Sequence, residues 1–199
     1  MRPVQFVTGT AVPLERSDVD TDQIIPSEWL KRVDRHGFGA GLFAEWRDGP
    51  DFVLNRPEYA GATLLIAGPN FGTGSSREHA VWALLDYGFE AVISERFADI
   101  FKNNCTKQGL VPVEVTAETV HALIAALSAK PSLEITVDVE HGILSAPEAG
   151  IEASFQLAEH VRYRLLNGLD DIGITLAHEP DISAYEAARP AWMPVVRPG

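Results

Sequence analysis

The sequence predicts an α/β fold with a mixed sheet, flanking helices and a helical C-terminal extension. Three observations predict it. Ala62 to Ala67 is a continuous apolar run, the pattern of a strand buried on both faces. Strand-like and helix-like segments then alternate as far as Leu127, as in βαβ units. Finally, Leu133 to Val139 alternates apolar and polar, and His141-Gly142 turns it into Ile143 to Ala146 as a hairpin.

Taken in order, Phe6 to Leu14 reads as one strand, with Gly9 as a bulge. Ser17 to Gln23 is polar and turn-like. Ser27 is an N-cap candidate for a short helix over Glu28 to Val33. Residues 34–60 carry several Gly and Pro with Phe43, Trp46 and Phe52 as anchors, and read as irregular. So long an irregular stretch is usually functional or mobile. After the strand ending at Ala67 comes a glycine loop, Gly68 to Gly74. A helix follows, in which Ser75 and Glu78 have the spacing of a capping box and Gly88 is the stop. Ala91 to Ser94 reads as a strand, Phe97 to Lys102 as a short helix, and Leu110 to Val115 as a strand. Val120, Leu123, Ile124 and Leu127 mark an amphipathic helix. Ile151 to Leu157 reads as a strand. Val161, Leu165 and Leu169 start a helical tail that breaks at Pro180. No linker divides the chain, so residues 1–199 are expected to form one domain, with about 157–199 as its helical extension.

Composition narrows the function. The chain has 199 residues, 46% of them hydrophobic, enough for a proper core. Asp and Glu number 28 against 16 Lys and Arg, a net charge of -12. So acidic a surface repels phosphate backbones and anionic membranes, which excludes nucleic acid and membrane as main partners. An anionic substrate would need a local cluster of cationic groups. No run approaches the roughly 20 apolar residues of a membrane span. The N-terminus lacks a signal-peptide pattern, so the cytoplasm is the expected compartment. Cys105 is the only cysteine. One thiol forms no internal disulfide and by itself holds neither zinc nor an iron–sulfur cluster.

The most informative segment is Asn70-Phe71-Gly72-Thr73-Gly74-Ser75-Ser76-Arg77-Glu78-His79. Arg77 stands where a dinucleotide fingerprint needs a small residue and where a nucleophile elbow needs glycine, and no Gly-Lys-Ser/Thr of a P-loop is present. An anion site remains. Amides at a helix start, two hydroxyls and a guanidinium that can grip a carboxylate with two hydrogen bonds lie together. The plain alternative is that Ser75 only caps the helix and Arg77 only pairs with a nearby acid. Asp18 to Asp22 begins like a calcium loop, but Gln23 and Trp29 replace the required Gly and Glu. The six His are scattered, and Cys105 has no identifiable base.

These residues carry a family resemblance. Asn70 to Ala80, NFGTGSSREHA, resembles the signature of the swivelling domain of the aconitase superfamily. DVDTDQIIP at Asp18 to Pro26 resembles its early active-site turn, and SERFADIF with KQGLVP resembles the segment after the signature helix. LLNGLDDIGITL at Leu165 to Leu176 resembles the C-terminal extension of the bacterial 3-isopropylmalate dehydratase small-subunit family. The resemblance runs from Phe6 to the tail. It implies a swivelling β/β/α domain of the aconitase type.

The implied activity is a hydro-lyase that interconverts 2-isopropylmalate and 3-isopropylmalate through 2-isopropylmaleate in leucine biosynthesis. The implied partner is a large subunit that bears a 4Fe-4S cluster on three cysteines, with this chain as a lid and no metal ligand of its own. By the resemblance, Ser75 is the base and Arg77 a catalytic carboxylate binder. Ser76 joins Arg77 on the carboxylate, and Thr21 and Asp22 belong to the active-site turn. Glu78 and His79 are structural. Trp29, Leu30 or Val33 would face the isopropyl group of a dicarboxylate substrate. Two alternatives stay open: the same chemistry on homoaconitate or citraconate/methylmalate, and a non-catalytic ligand-binding module.

Overall fold

In the computed structural model, residues 1–31, 36–75, 77–190 and 192–194 are described. Two four-stranded sheets form its frame. The parallel sheet has the order β2 (Ala11–Leu14), β3 (Leu64–Ala67), β4 (Ala91–Ser94), β5 (Val111–Glu114). The antiparallel sheet has the order β1 (Phe6–Gly9), β6 (Ile135–Asp138), β7 (Ile143–Ala146), β8 (Ile151–Ser154). The α/β class is as expected, but the one mixed sheet is instead two sheets, one wholly parallel and one wholly antiparallel.

The single strand expected over Phe6 to Leu14 is instead two strands joined at Thr10, one in each sheet. The side chains explain the split. Phe6 to Gly9 alternates exposed and buried, whereas all four residues of β2 are buried. Gly9 is not a bulge but a close approach: a Cβ there would lie 2.3 Å from Thr63 Oγ1. Pro13 and Pro112 both sit on edge strands of the parallel sheet, where a missing N–H is tolerated.

Strands β3 and β4 are buried along their whole length and face two cores. Leu64, Ile66, Ala91 and Ile93 pack toward the antiparallel sheet and α5 (Ala117–Ala129), against Val120, Leu123 and Leu127. Leu65, Ala67 and Val92 pack toward α3 (Glu78–Tyr87) and α4 (Asp99–Gln108). Helix α4 runs further than the short helix expected over Phe97 to Lys102. It buries only Phe101, Cys105 and Thr106, so its apolar stripe is thin, and Gly109 ends it in a left-handed conformation.

The stretch 34–60, expected to be irregular, is in its described part a chain of short turns with a well-packed interior. It holds α2 (Ala44–Arg47) and 3₁₀ turns over Phe38–Gly41, Val53–Asn55 and Pro57–Tyr59. Phe38, Leu42 and Phe43 are fully buried, and Phe43 stacks on Trp46 with centroids 5.3 Å apart. The helix expected over Glu28 to Val33 is a 3₁₀ turn over Ser27–Lys31. Val33 lies outside the described residues.

Ser17 to Gln23 also departs from a plain turn. It contains α1 (Thr21–Ile24), entered through a capping box in which Asp20 Oδ1 accepts from Gln23 N and Gln23 Oε1 accepts from Asp20 N. At the other end, α6 (Glu159–Asn167) is followed by α7 (Asp171–Leu176) and α8 (Glu179–Ala188). Leu165 of α6 is anchored in the core, but α7 and α8 bury no residue. No helix of the described residues is long and apolar enough to cross a membrane.

Candidate active site

In open parallel sheets, ligands bind at the carboxyl ends of the strands. Here three loops meet at that end, following β2, β3 and β4. Backbone hydrogen bonds lace them together. Gly72 N and Thr73 N both donate to Val19 O, at 2.8 and 3.1 Å, and Thr21 N donates to Thr73 O at 3.0 Å. Asp20 and Thr73 form a parallel β-bridge, and Phe71 bridges Phe97 of the third loop in the same way. Gly72 is required by this arrangement. Its φ is +80°, and a Cβ there would lie 2.2 Å from Phe101 Cγ.

The lacing changes the expected helix start. Helix α3 begins at Glu78, and Arg77 stands at its N-cap in extended backbone with no side-chain cap bond. Ser75 is therefore not the cap, and the expected capping box between Ser75 and Glu78 does not form. Thr73 pairs with Asp20 and Thr21, Gly74 turns at a φ of +84°, and the Ser75 carbonyl, which a capping residue would turn toward the first helical turn, accepts instead from the Thr21 hydroxyl. Glu78 Oε1 instead accepts a hydrogen bond from Gln108 Nε2.

This leaves the Ser75 side chain exposed, with no hydrogen-bond partner for its hydroxyl among the described residues. Ser75 and Arg77 line a pocket of about 240 Å³ together with Thr21, Gly74, Ile100 and Phe101. Thr21 is 1% exposed, and its hydroxyl donates to Ser75 O at 2.7 Å. Arg77 Nη1 donates to Asp22 Oδ1 in an ion pair. Four of the expected residues, Thr21, Asp22, Ser75 and Arg77, are thus brought together from two segments more than fifty positions apart. Ser76 lies outside the described residues.

Trp29 and Leu30 do not line this pocket. Both are half-buried, and Trp29 packs beside Phe38, with centroids 6.4 Å apart, over Gly41. The His79 ring lies 4.5 Å from Trp82 and 5.5 Å from Phe38. Cys105 is fully buried inside α4, where desolvation pushes its thiol pKa well up. It suits neither nucleophile nor metal ligand. Among the described residues, no group of three or more His, Cys, Asp or Glu is placed to hold a metal ion. A larger cleft of about 430 Å³ lies elsewhere, lined by Arg16, Trp46, Arg56 and Tyr59, with the Arg16 guanidinium 4.2 Å above the Trp46 ring. It contains neither Ser75 nor Arg77.

Some residues at or near the site lie in the quoted segments without a role that the sequence assigns them. Ile100, 56% exposed at the pocket, reads as an ordinary helix residue. Asp18 and Asn70 both adopt positive φ and are hydrogen-bonded to each other. A non-glycine residue in that region is the kind of signal that only a structure reveals.

Comparison with known proteins settles the family. The aconitase C-terminal domain model matches residues 1–118. The model of the C-terminal domain of the 3-isopropylmalate dehydratase small subunit matches residues 171–195. The small subunit of that enzyme from Parafrankia sp. is 63% identical over 187 residues, covering 94% of this chain and 95% of the relative. That from Rubrobacter xylanophilus is 60% identical over 196 residues, covering 98% and 100%.

The chain belongs to the 3-isopropylmalate dehydratase small-subunit family.

Membership in this family makes the chain a subunit of a hydro-lyase within the aconitase superfamily. A solved structure of 3-isopropylmalate dehydratase from Methanocaldococcus jannaschii superposes with a TM-score of 0.69. It covers 90% of this chain and 99% of that one at 24% identity, so it supports the fold. The Thr21–Ser75 and Asp22–Arg77 contacts fall within the part of the chain that the aconitase-type model matches.

Proposed function

We infer that this chain, with a large subunit, interconverts 2-isopropylmalate and 3-isopropylmalate through 2-isopropylmaleate, in the cytoplasm, for leucine biosynthesis. The single observation that supports its share of the chemistry is the pocket in which a serine hydroxyl with no partner among the described residues lies beside an oriented guanidinium.

The residues divide the work. Ser75 Oγ takes the proton from the carbon next to a substrate carboxylate and returns it on the reverse path. Arg77 holds that carboxylate. One of its nitrogens is occupied by Asp22, which fixes the plane of the guanidinium and leaves its other donors for the substrate. Ser76 adds a hydroxyl to the same carboxylate. Thr21 is buried, and its hydroxyl is committed to Ser75 O, so it acts on the substrate by holding Ser75 in place. A serine hydroxyl is a weak acid, and the positive charge of Arg77 in a closed, dry site favours its ionised form. Closure onto the large subunit supplies the dryness.

The iron–sulfur cluster of this reaction does not fit this chain, whose single thiol is buried within a helix. We assign it to the large subunit. Trp29 and Leu30 remain our candidates for the wall against the isopropyl group when the two subunits close.

Substrate profiling of the reconstituted two-subunit enzyme tests this reading. The isolated chain is expected to be inactive. The assembled enzyme is expected to prefer isopropylmalate over homoaconitate and methylmalate by at least about tenfold in kcat/KM, the size of a one-methylene discrimination. Equal rates on the three substrates would contradict it.

A further inference from the structure

We propose that Asn70, held between Asp18 and Arg96, is a positioning residue that locks the register of the three loops carrying the Ser75 site. The proposal rests on the reading of Ser75 and Arg77 given above. Asn70 Nδ2 donates to Asp18 Oδ1 at 2.7 Å, and Asn70 Oδ1 accepts from Arg96 Nε at 2.6 Å. Chemistry dictates the direction of the amide, because a carboxylate only accepts and a guanidinium only donates. Hydrogen bonds to charged groups are the short, strong ones, and this amide makes two of them. One neutral side chain thereby ties together the loops that follow β2, β3 and β4.

The backbone is shaped to allow it. Asp18 and Asn70 have φ values of +54° and +60°, a region that Asp and Asn enter more readily than other non-glycine residues. Main-chain bonds run beside the side-chain bridge. Asp18 N donates to Pro69 O at 2.9 Å, Phe71 N to Arg96 O at 3.1 Å, and Ala98 N to Phe71 O at 3.0 Å. From this point two loops run side by side to the pocket, through the bonds to Val19 and Thr73, and end at the Thr21–Ser75 contact. Asp18, Asn70 and Arg96 do not line the pocket themselves. They sit at the start of a ladder whose far end carries Ser75. A shift at the start moves the serine.

The test is a charge-preserving exchange in the reconstituted two-subunit enzyme, with rates normalised to folded, assembled enzyme. Asn70→Asp keeps the size of the side chain and sets two carboxylates face to face. It should lower kcat by about ten- to a hundredfold, the cost of small misplacement of a reacting group, with KM changed less than about threefold. Asp18→Asn combined with Asn70→Asp exchanges donor and acceptor. The amide at position 18 then donates to the carboxylate at position 70, which still accepts from Arg96, and net charge is unchanged. This double variant should return kcat to within about threefold of the parent. Asn70→Gly, which keeps the left-handed backbone and removes both bonds, should also lose kcat, and it remains available if Asn70→Asp does not fold.

A merely structural bridge would lower the melting temperature and leave kcat of the assembled enzyme unchanged. That result, or a double variant no better than Asn70→Asp alone, overturns the proposal. Ser75→Ala in the same assay separates the two readings. If it stays active, the serine reading falls, and with it the assignment of the bridge to that serine. If it is inactive and the exchange rescues nothing, the bridge alone falls.

Discussion

The Thr21 hydroxyl donates to the carbonyl of Ser75 at 2.7 Å, across 54 positions of sequence. This contact closes the ladder between the first two loops beside the exposed serine. A buried threonine, 1% accessible to solvent, thereby anchors the backbone of the serine.

Thr21→Val keeps the shape of the side chain and removes the donor. It should cost about 1 kcal/mol of stability, the net worth of one hydrogen bond. It should also lower kcat about tenfold by loosening Ser75, with KM little changed. Thr21→Ser should restore most of the rate. Steady-state kinetics and thermal melting of the two variants check this. A Val variant as fast as the parent would show that Ser75 does not depend on this bond.

Arg77→Lys should be poorly tolerated although the charge is kept. Lysine is a point charge and cannot pair with Asp22 while gripping a carboxylate with two parallel bonds. A loss of at least about tenfold in kcat/KM, or ~1.4 kcal/mol, is expected. Asp22→Asn should give a smaller loss, because it only releases the orientation of the guanidinium. Near-parental kinetics for Arg77→Lys would make Arg77 a structural residue.

Much of the frame is legible in the sequence, and the reasons are local. A strand such as Leu64–Ala67 announces itself by an unbroken apolar run, and the hairpin through His141-Gly142 by alternation and a turn. The pattern NFGTGSSREHA is enough to single out Ser75 and Arg77. The start of α3 is not legible, because the Ser75–Glu78 spacing describes a box, whereas the Ser75 carbonyl is held by the distant Thr21 hydroxyl and the helix begins at Glu78. The true capping box, Asp20 with Gln23, is hidden because only one helical turn follows it. The division of Phe6 to Leu14 between two sheets depends on which neighbours each half meets. So does the Asp18–Asn70–Arg96 bridge. Neither pairing can be read from one segment alone.

Gly72→Ala should be strongly destabilising. The new methyl would need a φ of +80° and would overlap the Phe101 ring. Strain and overpacking together predict a loss of about 2–3 kcal/mol by denaturant unfolding. Gly88→Ala is the control, because its φ is also positive, at +120°, while a Cβ there meets nothing within 4 Å. Its loss should be smaller. Equal losses would mean that backbone strain alone sets the cost.

The β6–β7 hairpin should carry a pH signature. Asp138 Oδ2 lies 2.8 Å from His141 Nδ1, and that hydrogen bond, followed by the carboxylate charge, raises the His141 pKa above its ordinary 6.5. A raised folded value means that protonated His141 favours the folded state. Its contribution is fully present below pH 6.5 and is lost as pH rises through the raised value. An NMR titration of the imidazole should give a midpoint above 6.5, and Asp138→Asn should bring it back down. A midpoint at or below the ordinary value would contradict the pairing.

The central claim is that Ser75 is the catalytic base and not a helix cap, and Ser75→Ala in the two-subunit enzyme tests it most directly. Because α3 starts at Glu78 and Ser75 makes no cap bond, the substitution should change stability by less than about 0.5 kcal/mol, as expected of an exposed surface position. Removing a general base should lower kcat by roughly 10²–10⁴, with KM changed less while Arg77 still holds the carboxylate. A large loss of kcat at an unchanged melting temperature is the predicted result. A variant that assembles with the large subunit and keeps kcat within a few-fold of the parent would place the base elsewhere.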